Sequence, residues 1–453
     1  MSQGIANSFQ VTPIGVITSD WEMGVVGDFV TALQAGVSVN AVETDAGCLA
    51  GDLGVLKSSA VLQGKFFANQ HKVVVAADVG RVATSVVADR IIISRMNTPA
   101  LVGESGYVKK DEPNLFLPDR LWQTEPSGMP HSQRWLSYWL QHPGMRRLIA
   151  AGATGTSNSM KNISKETVLS LPVPRTPLPE QQKITAILST VDDKLDVVAC
   201  QIEATKALKQ GLMQTLFSQG VGIQDASGLW FPHTEFQNSG LGKIPVGWSA
   251  DKLDSHVTKV GSGITPKGGS DAYLSSGIPL IRSQNVLVGR LSLSDVVFIS
   301  DEQHQKMRNS ALMPCDVLLN ITGASIGRCA ILPADFAEGN VNQHVCIIRP
   351  LPSLNPRYLC QYLNSNAGQK QVDRFQAGGN REGLNFQQIR SFELPVPPPG
   401  EQLKVAEILD GVDEKLKVLA AKQTFYEYLK RGLMQKLLTG EWRVKLDSPT
   451  GSG

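Results

Sequence analysis

The chain has 453 residues, of which 42% are hydrophobic and 19% are charged. This balance is typical of a folded protein with room for two or three domains, and it excludes a disordered chain. The net charge is only +2, so composition alone does not indicate a dedicated nucleic-acid binder. No apolar run reaches the ~18 residues of a membrane span, and the six cysteines lack C-x-x-C spacing. We therefore expect reduced thiols, no bound metal, no membrane contact and a cytoplasmic location.

The first region, residues 1–178, consists of short apolar runs separated by Gly, Pro, Asn and Asp. Two of these runs, 73–75 and 91–93, are rich in Val and Ile. Such runs predict short strands joined by polar loops. We expect an α+β domain here, which we call the first domain.

A long helix is predicted to follow at 179–218. The prolines at 177 and 179 prevent an earlier helix and preset the first turn. Apolar residues then recur in steps of three and four, which is the heptad pattern of a coiled coil. The predicted seam residues are Leu188, Val191, Leu195, Val198 and Ile202.

Residues 219–242 contain Gly and Ser with weak periodicity, and we interpret them as a linker. A second α+β domain is predicted at 243–397, with strands near 317–319 and 346–348 and a helix at 355–366. A second long helix is predicted at 398–440, and a tail follows at 441–453. The seam residues of this helix are Leu409, Val412, Leu416, Leu419 and Leu433.

The two long helices are copies of each other. Residues 180–217 align with 401–438 at a constant offset of 221, and 18 of the 38 positions are identical. Each copy follows a Leu-Pro-Val-Pro stretch and ends in Gly-Leu-Met-Gln. The domains before the helices repeat more faintly, with the same order of motifs but different polar residues. The chain is therefore an internal duplication of one unit.

Duplicated helices of about 38 residues, each about 57 Å long, favour pairing with each other. A repeat related by a pseudo-two-fold axis sets them antiparallel. We therefore expect an antiparallel coiled coil that separates two globular domains, with Lys209 and Lys430 on its seam, where polar residues can fix register. The alternative is that each helix packs into its own domain.

Several catalytic motifs are missing from the sequence. It has no G-x-x-x-x-G-K-[ST] phosphate loop, no H-E-x-x-H metal pair and no Asn/Asp-Pro-Pro-Tyr/Phe signature of amino-methyltransferases. A Ser/His/Asp triad is a spatial arrangement, so the sequence does not address it. We expect a protein that catalyses no bond chemistry by itself.

These features resemble the specificity subunits of type I restriction–modification systems over essentially the whole chain. The resemblance depends on the duplicated helices together with loops at 261–266, 281–286, 322–328 and 341–344 of the second domain. The first domain departs from the pattern, because it lacks a G-x-T-P loop and has Arg95–Pro99 where the second domain has Ile321–Gly323. Its assignment therefore depends partly on the duplication.

The resemblance implies that each domain is a target-recognition domain that reads one half of a split, asymmetric site on double-stranded DNA. The helices would separate the two half-sites by an unread gap. The implied partners are two methyltransferase (modification) subunits and motor–nuclease (restriction) subunits. S-adenosylmethionine, ATP and Mg would be bound by those partners, and no cofactor by this chain.

Bases are read by Arg, Lys, Asn, Gln, Ser or Thr on loops that reach a groove, and phosphates are contacted by similar side chains. In the first domain the candidates at such positions are Lys57, Ser58, Ser59, Lys65, Arg95, Asn97, Arg120 and Lys161. In the second domain they are Thr265, Lys267, Arg282, Ser283, Gln284, Asn285, Arg290, Thr322, Ser325, Arg328, Asn342, Gln343, His344 and Arg381. The same residue types also cap turns or lie solvated on loops.

Two other functions remain open at this point. One is the equivalent subunit of a modification-only or other phage-defence system, which the sequence does not distinguish from a restriction system. The other is a coiled-coil scaffold that joins proteins without contacting DNA. Salt-dependent, sequence-specific DNA binding would exclude the scaffold.

Overall fold

The computed structural model describes residues 8–43, 51–155, 160–266, 269, 273–376 and 383–446. It divides into two compact units. The first unit is Met1–Val197 with Gln423–Gly453, and the second is Val198–Lys422. Each unit combines one globular domain with segments of both long helices. None of the described helices is long and apolar enough to cross a membrane.

The first domain is mixed α and β, as predicted. Its helices are α1 (Val26–Phe29), α2 (Gln133–Gln141), α3 (Pro143–Gly152) and α4 (Lys165–Leu169). One sheet has six strands in the order Val30–Ala35, Leu121–Pro126, Arg90–Ser94, Ser105–Val108, Gly64–Phe66 and Val61–Leu62. A five-stranded sheet has the order Ser85–Val86, Glu112–Phe116, Gly54–Leu56, His71–Val74 and Ala41–Val42. Two-stranded pairs join Phe9–Thr12 to Gly15–Thr18, Met96–Asn97 to Lys161–Asn162, and Pro172–Pro174 to Met23–Val25.

The long helix α5 (Leu178–Leu216) leads to the second domain, whose helices are α6 (Asp301–Lys306), α7 (Pro356–Asn364), α8 (Asn366–Gln376) and α9 (Phe386–Arg390). A four-stranded antiparallel sheet has the order Val257–Ser262, Val345–Pro350, Val317–Asn320 and Cys329–Ile331. A three-stranded sheet has the order Val297–Ile299, Ile278–Ile281 and Asn340–Val341. Two-stranded pairs join Ile223–Gln224 to Trp230–Phe231, Phe236–Ser239 to Gly242–Pro245, Ser249–Lys252 to Glu393–Val396, and Val286–Leu287 to Arg290–Leu291. The chain then forms the second long helix, α10 (Pro399–Leu438).

The second repeat begins earlier than the sequence pattern indicated. The hairpin Phe236–Ser239/Gly242–Pro245 corresponds to Phe9–Thr12/Gly15–Thr18, and each is followed three residues later by a buried tryptophan, Trp248 or Trp21. The stretch 219–242, interpreted as a linker, thus contains most of a hairpin of the repeat. The pattern hid it because the two copies share only a few residues, chiefly Phe, Gln, Gly, Ile and Trp.

Both domains pack one sheet between two apolar layers. In the first domain, Ile91 and Ile93 belong to the cluster that contains the helical tryptophans, whereas Ile92 belongs to a separate cluster on the other face. In the second domain, Val317 and Leu319 cluster with Tyr358, and Leu318 lies in another cluster. Successive residues of a strand face opposite sides of the sheet, so one buried run supplies both layers.

Within the first unit, the segments of the long helices run antiparallel, as predicted. Asp192 of α5 pairs with Lys430 of α10 at 2.7 Å, and Glu180, earlier on α5, pairs at 2.7 Å with Arg443, which follows α10. The contacts therefore move backwards along one helix as they move forwards along the other. The apolar cluster of the first domain includes residues of both helices, among them Leu188 and Leu438.

The second unit has the same antiparallel arrangement. Lys209 of α5 contacts Asp413 of α10 at 2.6 Å, and Glu401, at the start of α10, accepts hydrogen bonds from the backbone N–H groups of Val221 and Gly222. Each helix segment also packs against the domain of its own unit. The two interpretations of the helices, pairing and packing into a domain, therefore both apply.

The predicted seam residues are buried or half-buried. Those buried are Leu188, Val191, Leu195, Val198, Leu409 and Leu419. Those half-buried are Ile202, Val412, Leu416 and Leu433. Lys209 and Lys430 lie on the seam as predicted, with side chains only 14% and 18% exposed, because each meets a carboxylate.

Candidate DNA interface

Six of the predicted second-domain residues line one open cleft of about 430 Å³. They are Ser283, Gln284, Thr322, Ser325, Arg328 and His344. Residues of two short 3-10 turns, Ser283–Asn285 and Gly323–Ser325, both line this cleft. Loops that are far apart in sequence thus bring hydroxyl, amide, imidazole and guanidinium groups to one surface, and these groups can donate to and accept from base edges.

The buried amide of Asn320 holds the two turns together. It lies at the end of the strand Val317–Asn320, and its Nδ2 donates to the backbone oxygen of Ser283 at 2.9 Å and to Ser325 Oγ at 3.1 Å. Gly323 begins the second turn with a φ of 73°, and Gly327, two residues after the turn, has a φ of 83°. This conformation favours glycine. Sequence reasoning missed Asn320, because its apolar strand gives no sign of a bonding partner almost 40 residues away.

A chain of polar contacts leads into the cleft from the neighbouring loops. Thr265 donates its hydroxyl to Oε1 of Gln343, Gln343 Nε2 lies 3.3 Å from His344 Nε2, and His344 Nδ1 shares a 2.6 Å hydrogen bond with Thr322 Oγ1. Gly263 permits this approach, since a Cβ there would lie 1.6 Å from the backbone oxygen of Val341. Four predicted residues are therefore preorganised as one hydrogen-bonded group.

The remaining second-domain candidates differ in exposure. Asn285 is 1% exposed, and its amide closes its own turn by accepting from the backbone N–H of Arg282 at 2.9 Å. Asn342 is also buried and accepts from the backbone N–H of His344 at 3.1 Å. Both amides position the loops and are not presented to solvent, whereas Arg290 is exposed at the start of the strand Arg290–Leu291. Lys267 and Arg381 lie outside the described residues.

The guanidinium of Arg282 is anchored at the edge of the second domain. It lies over the ring of Tyr273, 5.4 Å from the centroid, and donates to the backbone oxygen of Asp295 at 3.2 Å. These two contacts restrict the orientation of the Arg282 side chain, which is half-buried.

In the first domain, backbone contacts bring four candidates onto neighbouring segments, and one of the four lies beside Trp122. The backbone N–H of Arg95 donates to the carbonyl of Arg120 at 3.0 Å, and Asn97 is paired with Lys161 across a two-stranded ladder. The Arg95 guanidinium lies 5.8 Å from the centroid of the Trp122 ring. We call Arg95, Asn97, Arg120 and Lys161 the first-domain polar cluster.

Lys165 also belongs beside this cluster, although sequence reasoning missed it. Its ammonium lies 5.9 Å from the same Trp122 ring, at the start of α4, which Ser164 caps by accepting from the backbone N–H of Thr167. The only available signal was a lysine directly after a helix-capping serine.

The other first-domain candidates have partners elsewhere. Lys65 Nζ lies 2.6 Å from Asp196 of α5, and Lys57 pairs with Glu43 at 3.3 Å. Burial by itself would raise the pKa of Asp196, but Lys65 and Lys109 lower it overall. Hydrogen bonding and charge from Lys57, together with Lys72, lower the pKa of Glu43.

Two serines of the same region complete the first-domain candidates. Ser59 donates its hydroxyl to Gln70 at 2.9 Å, and Ser58 lies half-buried beside it. The structure therefore divides the first-domain candidates between the first-domain polar cluster and side chains that contact other parts of the domain or α5.

Comparison with known proteins shows what the chain is similar to. A family described as type I restriction modification DNA specificity domain matches residues 246–424. The type I restriction enzyme MjaVIII specificity subunit of Methanocaldococcus jannaschii is 26% identical over 63% of this chain and 65% of its own length. A second protein of that organism, provisionally named as the MjaX specificity subunit, is 23% identical over 97% of both chains. The chain therefore contains a match to the type I DNA specificity domain and is similar to type I specificity subunits over most of its length.

The fold is also similar to that of a solved structure. The crystal structure of the type I restriction-modification S subunit from M. genitalium covers 96% of this chain and 98% of its own, with a TM-score of 0.56 at 15% sequence identity. At that identity the likeness concerns the fold alone. The family match covers the second domain and most of α10, so the cleft lies in the part of the chain that matches the DNA specificity domain.

Proposed function

We propose that this chain is the DNA-reading subunit of a type I restriction–modification complex. It would recognise a bipartite, asymmetric site, hold two modification subunits on it and admit motor–nuclease subunits. The observation that carries the proposal is the cleft of the second domain, where six side chains able to donate to or accept from base edges share one surface.

The first-domain polar cluster supports a second reading surface in the same chain. The Arg95 guanidinium and the Lys165 ammonium lie near the Trp122 ring, and Asn97 and Lys161 lie opposite each other on an adjacent two-stranded ladder. These residue types are suited to contacts with phosphates and bases. The side chains of this cluster differ from those of the cleft, although the scaffold is duplicated. Two such surfaces would read two different half-sequences, which makes the site asymmetric.

The chemistry of modification would belong to the partners. The sequence contains neither an amino-methyltransferase signature nor a phosphate loop. We therefore propose that S-adenosylmethionine, ATP and Mg are bound by the partner subunits and that this chain supplies only recognition and assembly.

The test is a methylome. The chain is co-expressed, in a host that lacks DNA methylation, with the modification subunit encoded beside it, and modified bases are mapped by sequencing. A single motif with two specified halves around an unspecified gap is the expected result. A stable complex that methylates no site would contradict the proposal and favour the scaffold function.

The cleft makes a residue-level prediction in the same assay. Arg328→Ala removes an exposed guanidinium from the cleft, and a bidentate Arg–guanine contact contributes about 1–3 kcal/mol of discrimination. We expect relaxed specificity at one position in one half of the motif. Lys306→Ala, which removes an exposed lysine paired with Glu302 on α6, is the matched control and should leave the motif unchanged. If the Arg328→Ala and Lys306→Ala variants methylated the same motif, Arg328 would not be a residue that reads bases.

A further inference from the structure

One aspartate in the second unit joins three elements. Both carboxylate oxygens of Asp413 on α10 accept from Lys209 Nζ of α5, at 2.6 and 2.8 Å. One of them also accepts from Gln361 Nε2 of α7 at 2.8 Å. The carboxylate therefore fixes the register of the two long-helix segments and, at the same point, the seat of the second domain on them.

The first unit contains an equivalent set of contacts around one aspartate, and we call each such set a hub. In the first unit the aspartate lies on α5 and the lysine on α10, the reverse of the second unit. Asp192 of α5 forms an ion pair with Lys430 of α10 at 2.7 Å, and on the domain side it accepts hydrogen bonds from the Tyr138 hydroxyl at 2.7 Å and from Arg134. Asp192 and Asp413 are equivalent positions of the duplication, as are Lys209 and Lys430, since each pair differs by 221 residues. The same device thus occurs once in each unit.

The pairing selects one register. If α10 were displaced by one heptad in the second unit, Lys209 would face Ala406 or Ala420 instead of Asp413. An ammonium on a largely buried seam without a counter-ion is costly, and a single polar seam position is known to specify register in this way. An apolar seam would not discriminate in the same manner.

We propose that Asp413 with Lys209, and Asp192 with Lys430, are positioning residues that set the length of the unread gap between the two half-sites. The inference rests on the proposed function. Each hub fixes where a domain sits along the helix axis, so the bases that a domain reads stay the same when its hub is loosened. What changes is the number of base pairs between the halves.

The test replaces the second-unit pair by apolar side chains, Lys209→Met with Asp413→Leu, and maps the methylome of the full complex. Replacing both partners of a buried pair is tolerated far better than removing one, and Gln361 keeps its second acceptor, Asp410, at 2.9 Å. We expect both halves of the motif to persist and additional gap lengths to occur. Each additional gap length should account for about a tenth or more of the methylated sites, which corresponds to a preference below tenfold for the original gap.

The control is Glu203→Ala with Lys206→Ala, which removes an exposed ion pair of α5 at 2.8 Å and should keep a single gap length. A single, unchanged gap in the apolar variant overturns the inference but leaves the proposed function intact. A wild-type complex without a two-part motif would instead contradict the proposed function.

If the apolar variant does not assemble, the charge-exchanged variant decides. Lys209→Asp alone sets two carboxylates together, and adding Asp413→Lys restores an ion pair across the same positions. Recovery of a single gap length in the exchanged variant, relative to the single variant, supports the inference. Identical distributions of gap lengths in the two variants overturn it.

Discussion

His142 joins α2 to α3 with a buried imidazole. Its Nδ1 accepts a hydrogen bond from the backbone N–H of Gly144 at 3.2 Å and so caps α3. Burial, together with the nearby charge of Arg147, lowers the pKa of His142 to about 4. The capping hydrogen bond and the burial both favour the neutral imidazole. A protonated Nδ1 cannot accept the hydrogen bond from Gly144, and a buried imidazolium is not hydrated by water.

This pKa predicts how the stability of the first unit depends on pH. The unfolded histidine has a pKa near 6.5, so below that value the unfolded state binds a proton that the folded state does not. The contribution to stability is complete above pH ~6.5 and is lost as the pH falls towards 4. By pH 5 the loss should be about 2 kcal/mol.

Denaturant unfolding at pH 7 and pH 5 measures this loss. His142→Asn keeps a cap acceptor but does not titrate, so the stability of that variant should fall less over the same range. His71→Asn, at a half-buried histidine of the same domain, is the control and should retain the full pH dependence. A His142→Asn variant with the pH dependence of the wild type would contradict the assignment.

At the scale of elements, features marked by a periodic sequence pattern were predictable, whereas features that depend on contacts between distant residues were not. The long helices α5 and α10 were predicted to within two residues, because heptad spacing and flanking prolines are local signals. Most of the hairpin at 236–245 was interpreted as linker, because its burial depends on contacts with distant segments. Asn320 was missed for the same reason. Its partners, the turns at 283–285 and 323–325, meet only in the folded domain.

The junction of α3 with the amino-terminal hairpin gives a prediction at this scale. A Cβ on Gly144 would lie 1.9 Å from the backbone oxygen of Ile14, so Gly144→Ala must separate the hairpin turn from the helix. We expect a loss of about 1–3 kcal/mol in the free energy of unfolding, as for overpacking in a core, measured as a lower melting temperature.

Gly432→Ala is the matched control in the same unit. Gly432 lies inside α10, where an added Cβ would meet nothing within 4 Å, and Ala is favoured over Gly in a helix interior by about 0.5–1 kcal/mol. The two substitutions should therefore shift the melting temperature in opposite directions. A stabilising Gly144→Ala would show that the turn does not pack as described.

For the whole molecule, the duplication was the signal that predicted most. It identified two domains, two helices and their antiparallel pairing, because one set of contacts is used twice. It did not identify the reading residues with the same certainty. Of the first-domain candidates, Lys65 binds Asp196 of α5, while Arg95 lies beside Trp122. Sequence shows which residues can bind DNA, but the fold decides which of them are already engaged.

The repeated hubs lead to a prediction about exchanging domains. Residues 1–178 are replaced by the matching region of a full-length relative, and Arg134 and Tyr138 are retained at their positions because they hold Asp192. The second domain has its own apolar clusters within its unit, so its half of the motif should not change. The methylome of this hybrid should therefore differ from the parent only in the first half.

A second hybrid distinguishes recognition of the half-sequence from positioning of the first domain on the helices. It carries the same exchange with Arg134→Ala and Tyr138→Phe, which leaves Asp192 with Lys430 but without its contacts to the first domain. If the hub only positions the domain, this hybrid should read the same two half-sequences as the first hybrid but accept additional gap lengths. A change in the second half of the motif in either hybrid would mean that the two domains do not read independently.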